Sequence, residues 1–81
     1  MKTRKQGYGT ANLIGRNVEK LRLAQGIKQK DFIARLQVEG LDINPTSYSK
    51  LEGQIRNVTD KEVLIIAKVL GVPMETLYQD A

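Results

Sequence analysis

An 81-residue chain makes one domain and buries only roughly 60–65% of the surface its unfolded form exposes, which leaves room for four or five short helices but not for a second domain or a deep enzyme cleft. It has no cysteine and no histidine. Disulfides, thiolate chemistry, histidine base catalysis and the usual zinc-ligand patterns are therefore excluded, no cofactor is implied, and a reducing cytoplasm is the expected setting. The net charge of +4 is uneven, with nine Lys/Arg against two Asp/Glu in residues 1–35 and four against seven in residues 36–81. A basic half on a small domain fits a polyanion partner, or a solubilising surface with a basic tail.

Residues 1–11 have no apolar periodicity and carry Lys2, Arg4 and Lys5. They are read as a flexible basic arm, with residues 12–81 as the folded domain. The segment Gln6–Thr10 that follows the cations is not the apolar stretch a signal peptide needs. The longest apolar run, Val63–Ala67, is far too short to span a bilayer, so no membrane is expected as a partner.

Helix 1 is predicted from about Asn12 to Gln25, with Ile14, Val18 and Leu21 at helical spacing, Arg22 on the flank of that stripe, and Gly26 at the C-cap. Helix 2 is predicted from Lys28 to about Gln37, led by Gln29 and buried through Phe32, Ile33 and Leu36. A turn follows at 38–43, where Gly40 allows a positive φ and Leu41 and Ile43 pin the chain to the core. Helix 3 has the clearest start: Asn44 as N-cap and Pro45 at the first helical position, with the helix running to about Glu52 and Gly53 ending it. Thr59-Asp60-Lys61-Glu62 is a capping box for helix 4, whose Val63, Ile66, Ala67 and Leu70 lie at i, i+3, i+4 and i+7. Gly71 stops that helix. Pro73 opens a short fifth that packs Met74, Leu77 and Tyr78. No segment alternates long enough for a strand, so the expected fold is all-α, a compact bundle of five short helices.

Helix 3 carries the chemistry. At 100° per residue, Tyr48, Leu51 and Ile55 fall on one side and can join a core. Thr46, Ser49, Lys50 and Gly53 fall on the other. That outer face is small, polar and cationic, which suits a helix pressed into a nucleic-acid groove, although a plain solvated face would also read so. Small residues allow close approach, hydroxyls bond bases or phosphates, and lysine reaches guanine O6/N7 or a phosphate. Glu52 lies on the inward side, one turn after Tyr48. A carboxylate there needs a cation or hydrogen-bond donors, and Arg22 is the candidate partner for a structural ion pair locking helix 1 to helix 3; otherwise Glu52 reaches solvent.

Ile65 and Val69, at i and i+4, fall off helix 4's core stripe. They form a subunit contact, or they are covered by helix 5 or the tail. The pairs Glu39/Asp42 and Asp60/Glu62 sit at a turn and a helix start, where acids serve capping and the helix dipole. Gly7-Tyr8-Gly9 is not a phosphate loop, since no strand precedes it and no GK[ST] follows.

The pieces Ile14-Gly15, Leu21-Arg22, Gly26-Ile27-Lys28-Gln29, Ser49-Lys50-Leu51-Glu52, Arg56, Ile66–Val72 and Leu77, in that order, resemble the lambda-repressor/Cro-like (XRE) helix-turn-helix family. The resemblance implies five helices, with the second and third forming the DNA-reading unit. It places Pro45, Thr46, Ser49 and Lys50 against base edges, with Asn44 at the boundary, in reach of the backbone or a base. By the same pattern Gln29, with Lys28 before it, meets a phosphate and orients the start of helix 3. The backbone amides after helix 3, with Gln54 and Arg56, match a loop that grips phosphates, and Arg22 and Glu52 match a buried pair. Three departures stand out. The turn between helices 2 and 3 is about five residues longer than in the simplest members. Ile33 stands where a small residue is usual, which would push the helices apart. Gln54 stands where a glycine is usual, with Gly53 one place early.

The expected function is sequence-specific double-stranded DNA binding by a transcriptional regulator, read as a repressor of prokaryotic or phage type and not an enzyme. Its expected partners are a palindromic operator and a second copy of the chain. The alternative is a protein-interaction module of the same fold, antitoxin-like or an adaptor.

Overall fold

The computed structural model describes residues 8–80. Five helices follow one another: α1 (Gly15–Ala24), α2 (Gln29–Val38), α3 (Pro45–Glu52), α4 (Asp60–Leu70) and α5 (Met74–Leu77). The fold is all-α, and no strand occurs among the described residues.

Helix starts follow the capping chemistry of the sequence. Asn44 Oδ1 accepts from Ser47 N at 2.7 Å, and Pro45 takes the first helical position. Thr59 and Glu62 complete a reciprocal capping box on α4. Helix α1 begins three residues later than its apolar spacing predicts. The cause is Asn12, whose Oδ1 accepts from the N–H groups of Ile14 (3.1 Å) and Gly15 (2.8 Å) and so holds a turn ahead of the N-cap, Ile14, rather than starting the helix.

Four helices end in one way. An N–H just past the helix bonds back to the carbonyl five residues earlier: Ile27 N to Arg22 O, Leu41 N to Leu36 O, Ile55 N to Lys50 O and Val72 N to Ala67 O, at 2.9–3.1 Å. This closure needs a left-handed residue just before that N–H. Gly26 (φ +70°), Gly40 (φ +98°) and Gly71 (φ +71°) supply it after α1, α2 and α4. After α3 the left-handed residue is Gln54, at φ +60°, where a side chain costs roughly 1–2 kcal/mol. Gly53 ends α3 in sequence but keeps a right-handed φ of −78°.

Ile14, Val18, Phe32, Leu36, Tyr48, Leu51, Ile66 and Leu77 form the centre of the core. The Phe32 and Tyr48 rings meet at 5.6 Å, tilted by 57°, and tie α2 to α3. Ile33 is also buried, so its bulk is taken up inside the α2 packing. Side chains expected inside lie out in three places. Ile55 is 59% exposed, because α3 stops at Glu52 and the helical projection ends with it. Met74 and Tyr78 are largely exposed and α5 buries Leu77, because a single turn has one inward position. On α1, Leu21 is half-buried while Arg22 is buried.

Helix α1 crosses α3 at Gly15. A Cβ there would lie 2.2 Å from Leu51 O and 2.8 Å from Glu52 O. Both neighbours are backbone, so the helices themselves must part. Gly15→Ala is expected to cost about 1–3 kcal/mol despite alanine's better helix propensity, and urea denaturation would measure it; a variant as stable as the parent would mean the two helices separate freely.

The arm expected over residues 1–11 lies mostly outside the described residues. Within it, residues 8–11 are attached to the domain. Gly9 N and Ala11 N donate to Gly53 O and Gln54 O, both at 2.8 Å. The Tyr8 hydroxyl donates to Glu19 Oε1 at 2.5 Å, and Arg16 lies over the Tyr8 ring at 5.0 Å. These partners lie far along the chain, and apolar periodicity does not report them.

Candidate nucleic-acid interface

Helix α3 is held from inside and left bare outside. Tyr48, Leu51 and Glu52 face the core and are each fully buried. Asn44, Pro45, Thr46 and Lys50 are exposed, and Ser49 is half-buried. The outer face therefore carries an amide, a pyrrolidine ring, hydroxyls and an ammonium. Lys50 has no hydrogen bond or ion pair within the described residues. Asn44 uses its carbonyl oxygen as cap, which leaves its amide N–H groups for another partner.

Behind this face, Glu52 is the hub. Arg22 donates to it side-on, Nε to Oε2 at 2.7 Å and Nη2 to Oε1 at 3.2 Å. Gln29 Nε2 donates to Oε1 at 3.0 Å, and the Tyr48 hydroxyl donates to Oε2. Arg22 Nη1 also donates to Ile27 O at 2.8 Å, closing the turn before α2. Three helices are thus joined through one carboxylate. Burial opposes the Arg22 charge, but the hydrogen bond and the field of Glu52 outweigh it and hold the guanidinium above its ordinary pKa. Burial, reinforced by the Glu52 charge, pushes the Tyr48 phenol far above its ordinary pKa. Tyr48 therefore remains a donor.

Gln29 opens α2 and connects the two helices. Besides its bond to Glu52, its Oε1 accepts from Ser49 Oγ at 3.4 Å. That bond brings the first turn of α2 beside the outer face of α3. Lys28 and Lys30 flank Gln29 and are exposed.

The loop after α3 differs from its sequence reading in which atoms are available. Gln54 Nε2 donates to Asn12 O at 3.0 Å. Arg56 makes a two-pronged pair with Glu62, Nη1 to Oε1 at 3.1 Å and Nη2 to Oε2 at 2.8 Å, and also donates to Asn57 O at 3.1 Å. Both side chains proposed for phosphate are thus engaged inside the protein. The Arg56 hydrogen bond, working against burial, holds the Glu62 carboxyl below its ordinary pKa. The backbone N–H groups of Arg56 and Asn57 make no hydrogen bond within the described residues.

Asn12 is the residue that sequence reasoning missed. It is buried, and its Nδ2 donates to Leu51 O (3.0 Å) and Arg56 O (2.8 Å). An asparagine just ahead of an apolar stripe is a visible cap signal, but acceptors 39 and 44 residues away leave none. On α4, Ile65 and Val69 are half-buried against the core rather than fully exposed. No helix among the described residues is long and apolar enough to cross a membrane.

Among known proteins, no curated protein and no solved structure is significantly similar to this chain. The family model HTH_3, described as helix-turn-helix, matches residues 18–77. The match runs from within α1 to the end of α5 and includes Arg22, Gln29, the outer face of α3 and Glu52. It covers most of the chain, and this family is one of DNA-binding regulatory domains. The chain belongs to the lambda-repressor/Cro-like (XRE) family of helix-turn-helix proteins.

Proposed function

We propose that the protein is a sequence-specific transcriptional regulator, a repressor, that places α3 in the major groove of double-stranded DNA. The observation that carries this reading is the bare outer face of α3, anchored from behind by a fully buried carboxylate with donors from three helices. A rigid helix of eight residues is about 12 Å long, close to the groove's width of roughly 12 Å. Pro45, Thr46, Ser49 and Lys50 read base edges, with Asn44 at the boundary. Lys28 and Gln29 meet phosphates on one side of the groove. On the other side the amides of Arg56 and Asn57 do so, with the unused Arg56 N–H groups and Gln54 nearby.

The longest extent of the described residues is 30 Å, less than one turn of B-DNA at roughly 34 Å. One copy therefore covers one half-site. Two copies on a palindromic operator supply the surface that high affinity requires. Ile65 and Val69, only half-covered in the single chain, are the candidate dimer contact. The cytoplasm of a prokaryotic or phage-infected cell is the matching setting.

A second reading has an observation of its own. Ala34, Val38 and Val69 line an apolar groove between α2 and α4, and Val38 is 83% exposed, which favours a protein partner. Selection from random duplex DNA at moderate salt, followed by sequencing, separates the two. An enriched palindrome with half-sites about one turn apart is the expected result. Recovery of unenriched DNA that washes off with salt would reject specific reading and leave the protein-interaction module.

A further inference from the structure

The end of α3 and the loop after it rest on a segment that no helix contains. Within residues 9–12, Gly9 N donates to Gly53 O, Ala11 N to Gln54 O, and Asn12 Nδ2 to both Leu51 O and Arg56 O. The return bond runs from Gln54 Nε2 to Asn12 O. One carbonyl of the last turn of α3 and three of the loop after it are thereby bonded to residues some 40 positions earlier. The same bonds surround a helix end closed by a side-chain-bearing residue, Gln54, at positive φ. The corresponding ends of α1, α2 and α4 use glycine, and at α4 Gln25 Nε2 donates to Leu70 O at 2.8 Å. A strained residue held by its surroundings points to a loop whose shape matters.

The fit between segment and loop is close. A Cβ on Gly9 would lie 2.5 Å from Gln54 O and 2.6 Å from the Ile55 side chain. Gly9 has no positive φ, so close approach is what requires glycine here. The carbonyls of residues 51, 53, 54 and 56 bond toward this segment, and the Arg56 and Asn57 amides have no hydrogen-bond partner among the described residues.

We propose that Gly9, Ala11 and Asn12 are positioning residues for DNA binding: they hold the 53–57 loop in the shape that offers the Arg56 and Asn57 amides to a phosphate. The proposal rests on the DNA-binding reading above and adds to it a role for residues outside the helix-turn-helix unit. In this role the segment serves a phosphate contact and not a base contact, so its loss weakens binding to every duplex alike and leaves base preference intact.

The test uses the full chain with Gly9→Ala, which is charge-neutral and lies outside the core, and with Asn12→Ala. A core variant, Ala67→Gly in α4, serves as control for a general loss of stability. Each is titrated below its melting temperature on the selected duplex and on random duplex. Each is also titrated on copies of the selected duplex carrying a single neutral methylphosphonate at successive positions. For Gly9→Ala the expected result is an affinity loss of about tenfold on both duplexes. Sensitivity to methylphosphonates at one edge of the groove should vanish, while sensitivity at the Lys28–Gln29 edge persists. The control should keep both. A Gly9→Ala chain with the parent's affinity and interference pattern overturns the proposal, as does an Ala67→Gly chain with the same selective loss. If Gly9→Ala does not fold, Asn12→Ala is read by the same criteria. If the unmodified chain binds no duplex, the DNA-binding reading fails and takes this role with it; unchanged variants of a chain that does bind refute the positioning role alone.

Discussion

Glu52→Ala is expected to remove about 3–5 kcal/mol of stability, the typical cost of breaking a buried pair by deleting one partner. Glu52 is fully buried, and Arg22, Gln29 and Tyr48 all donate to it. Alanine would strand a buried guanidinium and a buried phenol at once. At about 0.05–0.15 kcal/mol per residue, a chain of this length has a total margin of only ~4–12 kcal/mol, so the variant should be largely unfolded or melt at least about 12 °C lower. Thermal and urea unfolding followed by circular dichroism would measure it. A melting temperature within a few degrees of the parent would show that the hub is dispensable. The double variant Arg22→Met/Glu52→Leu should recover much of the loss, because it removes the stranded charge together with its partner. That recovery would separate the cost of an unpaired charge from the worth of the pair.

Lys50→Ala should do the opposite. Lys50 is exposed and makes no hydrogen bond or ion pair among the described residues, so stability should change by no more than about 0.5 kcal/mol. Affinity for the selected duplex should fall by about 5- to 150-fold, the equivalent of one good base contact at ~1–3 kcal/mol, with relaxed preference at the base it reads. Lys61→Ala on α4, also exposed, removes the same charge away from α3 and serves as the comparison. If the two variants weaken binding equally on selected and random DNA, lysine acts only as a charge, and α3 is not the reader at that position.

The two substitutions lie two residues apart in one short helix, yet their expected effects fall on different properties. A helix of eight residues has little cohesion of its own. Its inner side must be fixed for its outer side to be useful. Glu52 and Tyr48 supply the fixing, and the bare face is what they hold. Gln29 links the two functions, since one amide bonds both Glu52 and Ser49.

Much of this was legible in the chain itself, for a local reason. Helix period, the Asn44–Pro45 start, the Thr59–Glu62 box, and glycines 26, 40 and 71 act over three to six residues, and the structure places the helices accordingly. The pairing of Arg22 with Glu52 could be anticipated because an inward carboxylate demands a donor, and few cations lie on an inward stripe. Tertiary structure alone decided the rest. Nothing local indicates that Asn12 donates to carbonyls 39 and 44 residues away. Nor does anything local indicate that residues 8–11 are bonded to the domain, or that Arg56 turns back to Glu62. Exposure of Ile55 followed from where α3 stops, and that stop depends on a left-handed glutamine held by a distant segment. Local sequence determines which backbone groups a helix end leaves open. Only the packed fold determines which distant residue satisfies them, because that choice depends on which surfaces meet.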